Sequence, residues 1–125
     1  MRAVLTIAGS DSTAGAGVQG DLKTFAALGV YGTVAVTAVT SQNTSGVLEV
    51  LALPKETVRA QINAVAGDVS LSAIKTGMLA TADIAQVVAD ALQALRRPNL
   101  VPHLVIDPPA VRAFRSDPEL EARRS

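Results

Sequence analysis

Short runs of β-branched and small apolar residues alternate along this chain with segments whose apolar residues recur every three or four positions. The runs are Ala3–Ala8, Thr33–Val39, Val47–Leu53, Ala73–Thr76 and Leu104–Ile106. Each is too short to stand as a helix and rich in apolar or β-branched residues, so each is predicted as a strand, Thr33–Val39 a buried one. Glu49 interrupts the third and places it at an edge. Between the strands, Val18, Leu22, Phe25 and Ala26 fall on one helical face, as do Val58, Ile62 and Val65. The clearest stripe is Ile84, Val87, Val88, Ala91, Leu92 and Leu95, which must pack against another element. Strand and helix alternate along most of the chain, and the crossover connections this requires build a mostly parallel α/β sheet with right-handed crossings.

The boundaries carry their own signals. Gly29 is expected as a C-terminal cap, Pro54 in the first turn of a helix, and Thr81 as an N-cap. Thr40–Gly46 is polar and is expected as a loop. Pro98-Asn99 ends the last helix, and Asp107-Pro108 closes the last strand. The segment 109–125 is rich in Arg, Asp and Glu with few apolar residues, and is expected as a solvated tail.

Composition excludes several classes of function. One Tyr and two Phe leave the core to Ala, Val, Leu and Ile. Eleven basic and eleven acidic residues cancel without forming blocks, so no footprint for nucleic acid or an anionic membrane exists. No apolar stretch reaches the ~18 residues of a membrane span, and the N-terminal run lacks a full signal-peptide core. Cysteine is absent, which removes disulfides, thiolate metal sites and a cysteine nucleophile. The expectation is a cytoplasmic protein acting on a small molecule.

The chemistry concentrates where the predicted strands end. Gly9-Ser10-Asp11-Ser12-Thr13-Ala14-Gly15-Ala16-Gly17 follows the first strand and opens a helix. Its backbone N–H groups, with Asp11, Gln19 and Asp21 beside them, suit a polar ligand as well as they suit an ordinary turn. Gly15-Ala16-Gly17-Val18-Gln19-Gly20 fits G-x-G-x-x-G, but a long loop separates it from the strand and no acidic residue stands where the ribose would be held. Lys23-Thr24 lies inside the helix after Leu22, so a Walker A loop is excluded as well. Further along, Gln42 both donates and accepts and can read an aminopyrimidine or amide edge. Met78 can pack on a flat ring or serve as core, and Asp107 can hold a cation or close a turn. Carboxyl ends of parallel strands form the ligand crevice of open α/β sheets, and these groups converge there.

Ile7-Ala8-Gly9-Ser10-Asp11-Ser12-Thr13-Ala14-Gly15-Ala16-Gly17-Val18-Gln19-Gly20-Asp21-Leu22-Lys23-Thr24 resembles the opening signature of hydroxymethylpyrimidine/phosphomethylpyrimidine kinases, A-G-S-D-S-S-G-G-A-G-I-Q-A-D-L-K-T. Val39-Thr40-Ser41-Gln42-Asn43-Thr44, Lys75-Thr76-Gly77-Met78-Leu79 and Val105-Ile106-Asp107-Pro108 resemble later family segments in the same order. The resemblance implies a ribokinase-like three-layer α/β fold. It implies ATP and Mg2+, and phosphorylation of 4-amino-5-hydroxymethyl-2-methylpyrimidine and its monophosphate in thiamine biosynthesis. Carried over by position, Gly9, Asp11, Ala16, Gln42 and Met78 would form the pyrimidine pocket, with Asp21 a weaker candidate and Asp107 toward the phosphates and metal. Residues 1–108 then read as the N-terminal part of a kinase domain, with its sheet truncated after about the fourth or fifth strand and 109–125 as a divergent tail. The second half of such a kinase supplies the anion hole, the base and most of the ATP site, so binding of ATP and activity by this chain alone are not expected. A non-catalytic pyrimidine-binding or interaction module and a pyridoxine-type kinase fragment are the alternative readings. An incomplete sheet leaves an edge and a helix face uncovered, which predicts a homodimer or other self-association.

Overall fold

The computed structural model describes residues 1–95 and, as backbone, the strand at residues 101–104. Asp107, the Pro98-Asn99 helix stop and the charged segment 109–125 lie outside the described residues. The elements follow the order β1 (Ala3–Ser10), α1 (Gly17–Ala27), β2 (Tyr31–Asn43), β3 (Gly46–Ala52), α2 (Lys55–Asp68), β4 (Leu71–Thr76), α3 (Ala82–Ala94) and β5 (Val101–Leu104). They form one sheet in the order β3-β2-β1-β4-β5. β1 runs parallel to β2 and to β4, and β4 parallel to β5. β3 alone is antiparallel, folded back on β2 as a hairpin at the edge.

The main core fills the space between one face of the sheet and helices α2 and α3. Leu5, Ile7, Ala35 and Ile74 project from the strands to meet Val58, Ile62, Ile84, Val88 and Leu92. The alternation of strand side chains explains the split: Leu5 and Ile7 face this layer, and Thr6 between them faces α1. α1 packs on β1 and β2 from the other side, which completes three layers. That second layer is thinner, because Val18 is the single buried residue of α1. Thr81 caps α3 as expected, its hydroxyl accepting from the Ile84 N–H at 3.1 Å.

Three boundaries differ from the sequence reading. β2 continues through Asn43, so Thr40–Asn43 is strand and only the tip of the hairpin is turn. Polar residues are tolerated there because β3 supplies their backbone partners while their side chains meet the site or solvent. Pro54 is the N-cap of α2, one residue ahead of the first turn. β5 occupies Val101–Leu104, ahead of the predicted Leu104–Ile106, and residues 105 and 106 lie outside the described residues.

Gln61 solves a problem the topology creates. β3 covers only the later part of β2, and the edge of the earlier part faces α2. The Gln61 side chain accepts from the Val36 N–H and donates to the Val36 carbonyl, both at 2.9 Å. A primary amide has the donor and acceptor of a peptide group, so Gln61 takes the place of a strand neighbour.

Candidate functional site

The β1–α1 loop is organised by one carboxylate. Asp11 is 5% exposed, and its Oδ1 accepts from the Thr13 N–H at 3.0 Å and the Thr13 hydroxyl at 2.9 Å. Its Oδ2 accepts from the Ala16 N–H at 2.7 Å. A hydrogen bond from the Gln42 side chain, with those of Thr13 and Ala16, overcomes burial and lowers the Asp11 pKa from 3.8 to about 2. The carboxylate is therefore an anion at neutral pH, and its bonds are spent on shaping the loop. Gln19 fixes the same loop to the end of β1, accepting from the Asp11 N–H at 2.8 Å and donating to the Ser10 hydroxyl at 2.7 Å.

Gly17 opens α1 at φ +61, and a Cβ there would run into the Gly9 carbonyl oxygen. Helix and strand thus approach closely only because residue 17 has no side chain. The preceding Ala16 provides no side-chain cap, so the N–H groups of the first turn stand at the loop without one. Ser12 ties the loop across to β2: its hydroxyl accepts from the Gln42 N–H at 2.7 Å and lies 2.8 Å from the Gln42 carbonyl and 3.2 Å from that of Thr40.

From the other side, Met78 follows β4. The Thr37 hydroxyl donates to its carbonyl at 2.7 Å, and its Cε rests where a Cβ on Gly9 would stand. Between these parts lies a cleft of about 290 Å³. Gly9, Asp11, Ala16, Gln42 and Met78 all line it, together with Thr40, Val47, Val50 and Lys75. The five residues singled out from sequence are thereby brought together from β1, the β1–α1 loop, β2 and the segment after β4. Asp21 is not among the lining residues; its carboxylate accepts from the Thr6 hydroxyl and pairs with Lys75 at 2.8 Å. Asp107 lies outside the described residues.

Sequence reasoning missed Val47 and Val50, because the hairpin that folds them over the cleft is a register fact. It gave Lys75 and Ser12 no specific role, since their partners lie 54 and 30 residues away. A cleft lined by Met78, two valines and the Gln42 amide suits a flat heteroaromatic ring with polar edges. The described residues do not make a magnesium site: no group of three acidic or imidazole ligands occurs among them. The oxygens of Asp11 and Asp21 are already committed to the partners named above.

The sequence model of the phosphomethylpyrimidine kinase family matches residues 11–122. A hydroxymethylpyrimidine/phosphomethylpyrimidine kinase of Haemophilus influenzae is 53% identical over 92 residues, which cover 74% of this chain and 34% of that protein. The chain thus spans about a third of the length of that relative. The crystal structure of a phosphomethylpyrimidine kinase from Clostridium difficile superposes with a TM-score of 0.80 at 38% identity, over 91% of this chain and 53% of that one. A Staphylococcus aureus pyridoxal kinase, solved with AMP-PCP and pyridoxal, gives a TM-score of 0.75 at 38% identity, over 91% of this chain and 43% of that one. These kinases are ribokinase-like, and the three-layer arrangement of the present chain is theirs.

Proposed function

The chain belongs to the phosphomethylpyrimidine kinase family, and from that premise we propose that it forms the substrate-binding part of a kinase acting on 4-amino-5-hydroxymethyl-2-methylpyrimidine and its monophosphate. The observation that carries this reading is the meeting of Gly9, Asp11, Ala16, Gln42 and Met78 in one cleft. Met78 covers one face of the ring, and Gly9 leaves room for it. Gln42 reads the aminopyrimidine edge, accepting from the exocyclic amine and donating to a ring nitrogen. Asp11 serves by holding the loop and Gln42 in place rather than by touching the ring. ATP, with Mg2+, would supply the phosphoryl group in the whole enzyme. The described residues bind and orient the acceptor alcohol. Similarity to pyrimidine kinases at about half identity supports the pyrimidine over pyridoxal as ligand.

Two further parts of the proposal concern the setting. A cytoplasmic location goes with this metabolic role, and none of the described helices is long and apolar enough to cross a membrane. The protein self-associates, as a homodimer, through the uncovered face of the β2–β3 hairpin.

Calorimetric titration of the purified chain with the hydroxymethylpyrimidine tests the core of the proposal. One-to-one binding is expected, weakened about tenfold or more by Gln42→Ala, the loss of one to two hydrogen bonds in a partly buried site. Absence of heat at millimolar ligand would sink the reading.

A further inference from the structure

We propose that Lys75 is a specificity-determining hydrogen-bond donor of this site, its ammonium meeting a ring-nitrogen acceptor of the bound aminopyrimidine. The inference rests on the cleft being a pyrimidine pocket. It adds a donor that neither the sequence pattern nor the family resemblance had singled out.

Lys75 comes from β4, and its Nζ stands 3.0 and 2.8 Å from Oδ1 and Oδ2 of Asp21 on α1. The carboxylate is itself fixed, because the buried Thr6 hydroxyl of β1 donates to Oδ2. The side chains of Lys75 and Asp21 are 27% and 19% exposed, so the pair is held at the boundary between sheet, helix and cleft. Lys75 lines the cleft and Asp21 does not. Nζ lies against Gly77, which lines the cleft as well, so the ammonium stands at the cleft wall with Asp21 outside the lining. Two carboxylate oxygens engage at most two of the three ammonium donors, which leaves one for another acceptor.

Space for that cation is built in. A Cβ on Gly77 would clash with the Ala8 Cβ at 2.8 Å and crowd Nζ at 3.2 Å, so glycine at 77 gives the ammonium room. The chemistry of the ligand atom follows. An ammonium donates and never accepts, so the group facing it carries a lone pair. Asp21 already balances the charge, so that group need not be anionic, and an in-plane ring nitrogen fits. With Gln42 at another point of the wall, the cleft would fix a pyrimidine by two edges, which selects ring orientation as well as ring type.

The test uses the full chain, titrated with the hydroxymethylpyrimidine and with two analogues in which one or the other ring nitrogen is replaced by CH. In the wild type, both replacements are expected to weaken binding, one by removing the acceptor of Gln42 and the other, about tenfold or more, by removing the charge-assisted hydrogen bond of Lys75. Lys75→Met should weaken the parent ligand by a similar factor and become indifferent to that same replacement. Because Lys75→Met strands Asp21, the double variant Lys75→Met with Asp21→Asn is measured beside it, with the same indifference expected. Equal binding of the parent and both analogues by the wild type overturns the assignment of Lys75 whether or not either variant folds. A variant that binds the parent yet is still weakened by both replacements overturns it as well. Both results leave the pyrimidine pocket standing, whereas a wild-type chain that binds no pyrimidine removes the pocket and this inference together.

Discussion

Ala14 sits in the left-handed region at φ 61, where the family signature has glycine. A Cβ in that conformation costs about 1–2 kcal/mol, part of which glycine returns through the greater freedom of the unfolded chain. Ala14→Gly is therefore expected to stabilise the protein by up to about 1 kcal/mol, read as a shift of the urea midpoint without change of slope. Asp11 gives the second residue-scale expectation. Its folded pKa of about 2 lies below the ordinary 3.8, so its contribution is complete above the unfolded value and is lost as pH falls from 3.8 toward 2. Thermal unfolding measured from about pH 5 to pH 2 should show a steeper acid loss for the wild type than for Asp11→Asn, which has no proton to take up. An identical pH profile for both would show that the loop does not depend on the carboxylate's charge. Asp11, Gly17 and Gly9 were visible in the sequence as a glycine-rich loop; which atoms Asp11 holds was not, because two of its partners are backbone N–H groups whose direction the loop conformation sets.

At the scale of elements, the helices were legible from periodicity and caps, and the strands from their β-branched runs. The end of β2 was not. Thr40–Asn43 has the composition of a loop, and it became strand because β3 pairs with it. Gln61 is the converse case: an exposed-looking helical glutamine that completes the edge of β2 at Val36. Gln61→Ala leaves one N–H and one carbonyl without their partner at a half-buried edge. The expected loss is about 1–3 kcal/mol in equilibrium unfolding. Gln61→Glu keeps the acceptor for the Val36 N–H but cannot donate to its carbonyl, and should also destabilise. A loss within a few tenths of a kcal/mol for Gln61→Ala would mean that water replaces the amide there.

For the whole molecule, the hairpin at the sheet edge decides how the chain meets its surroundings. Val39 and Leu51 stand opposite each other in the β2–β3 pair, on the face away from Thr40 and Val50, which line the cleft. Leu51 is 60% and Leu48 77% exposed. Uncovered apolar side chains on an edge hairpin favour association with a second copy. Leu51→Lys is expected to shift the protein toward monomer in sedimentation velocity while leaving ligand affinity unchanged, since that side chain lies off the cleft. A wild type that is monomeric at high micromolar concentration would count against the homodimer.

The sequence by itself determined the α/β class and the three described helices, which follow from local rules: apolar period, caps, and a glycine-rich segment at the end of a strand. Gly9, Asp11, Ala16, Gln42 and Met78 of the cleft came from the family resemblance, and Val47 and Val50 from neither. Only the tertiary structure decided that Gln42 lies on a strand, that Asp11 organises the loop, that Gln61 stands in for a neighbour, and that Lys75 faces the cleft with Asp21 behind it. The Gln61 and Lys75 bonds join groups far apart in the chain, with partners chosen by sheet order and register; those of Asp11 are local, but they need the loop conformation that the Gly9–Gly17 approach imposes.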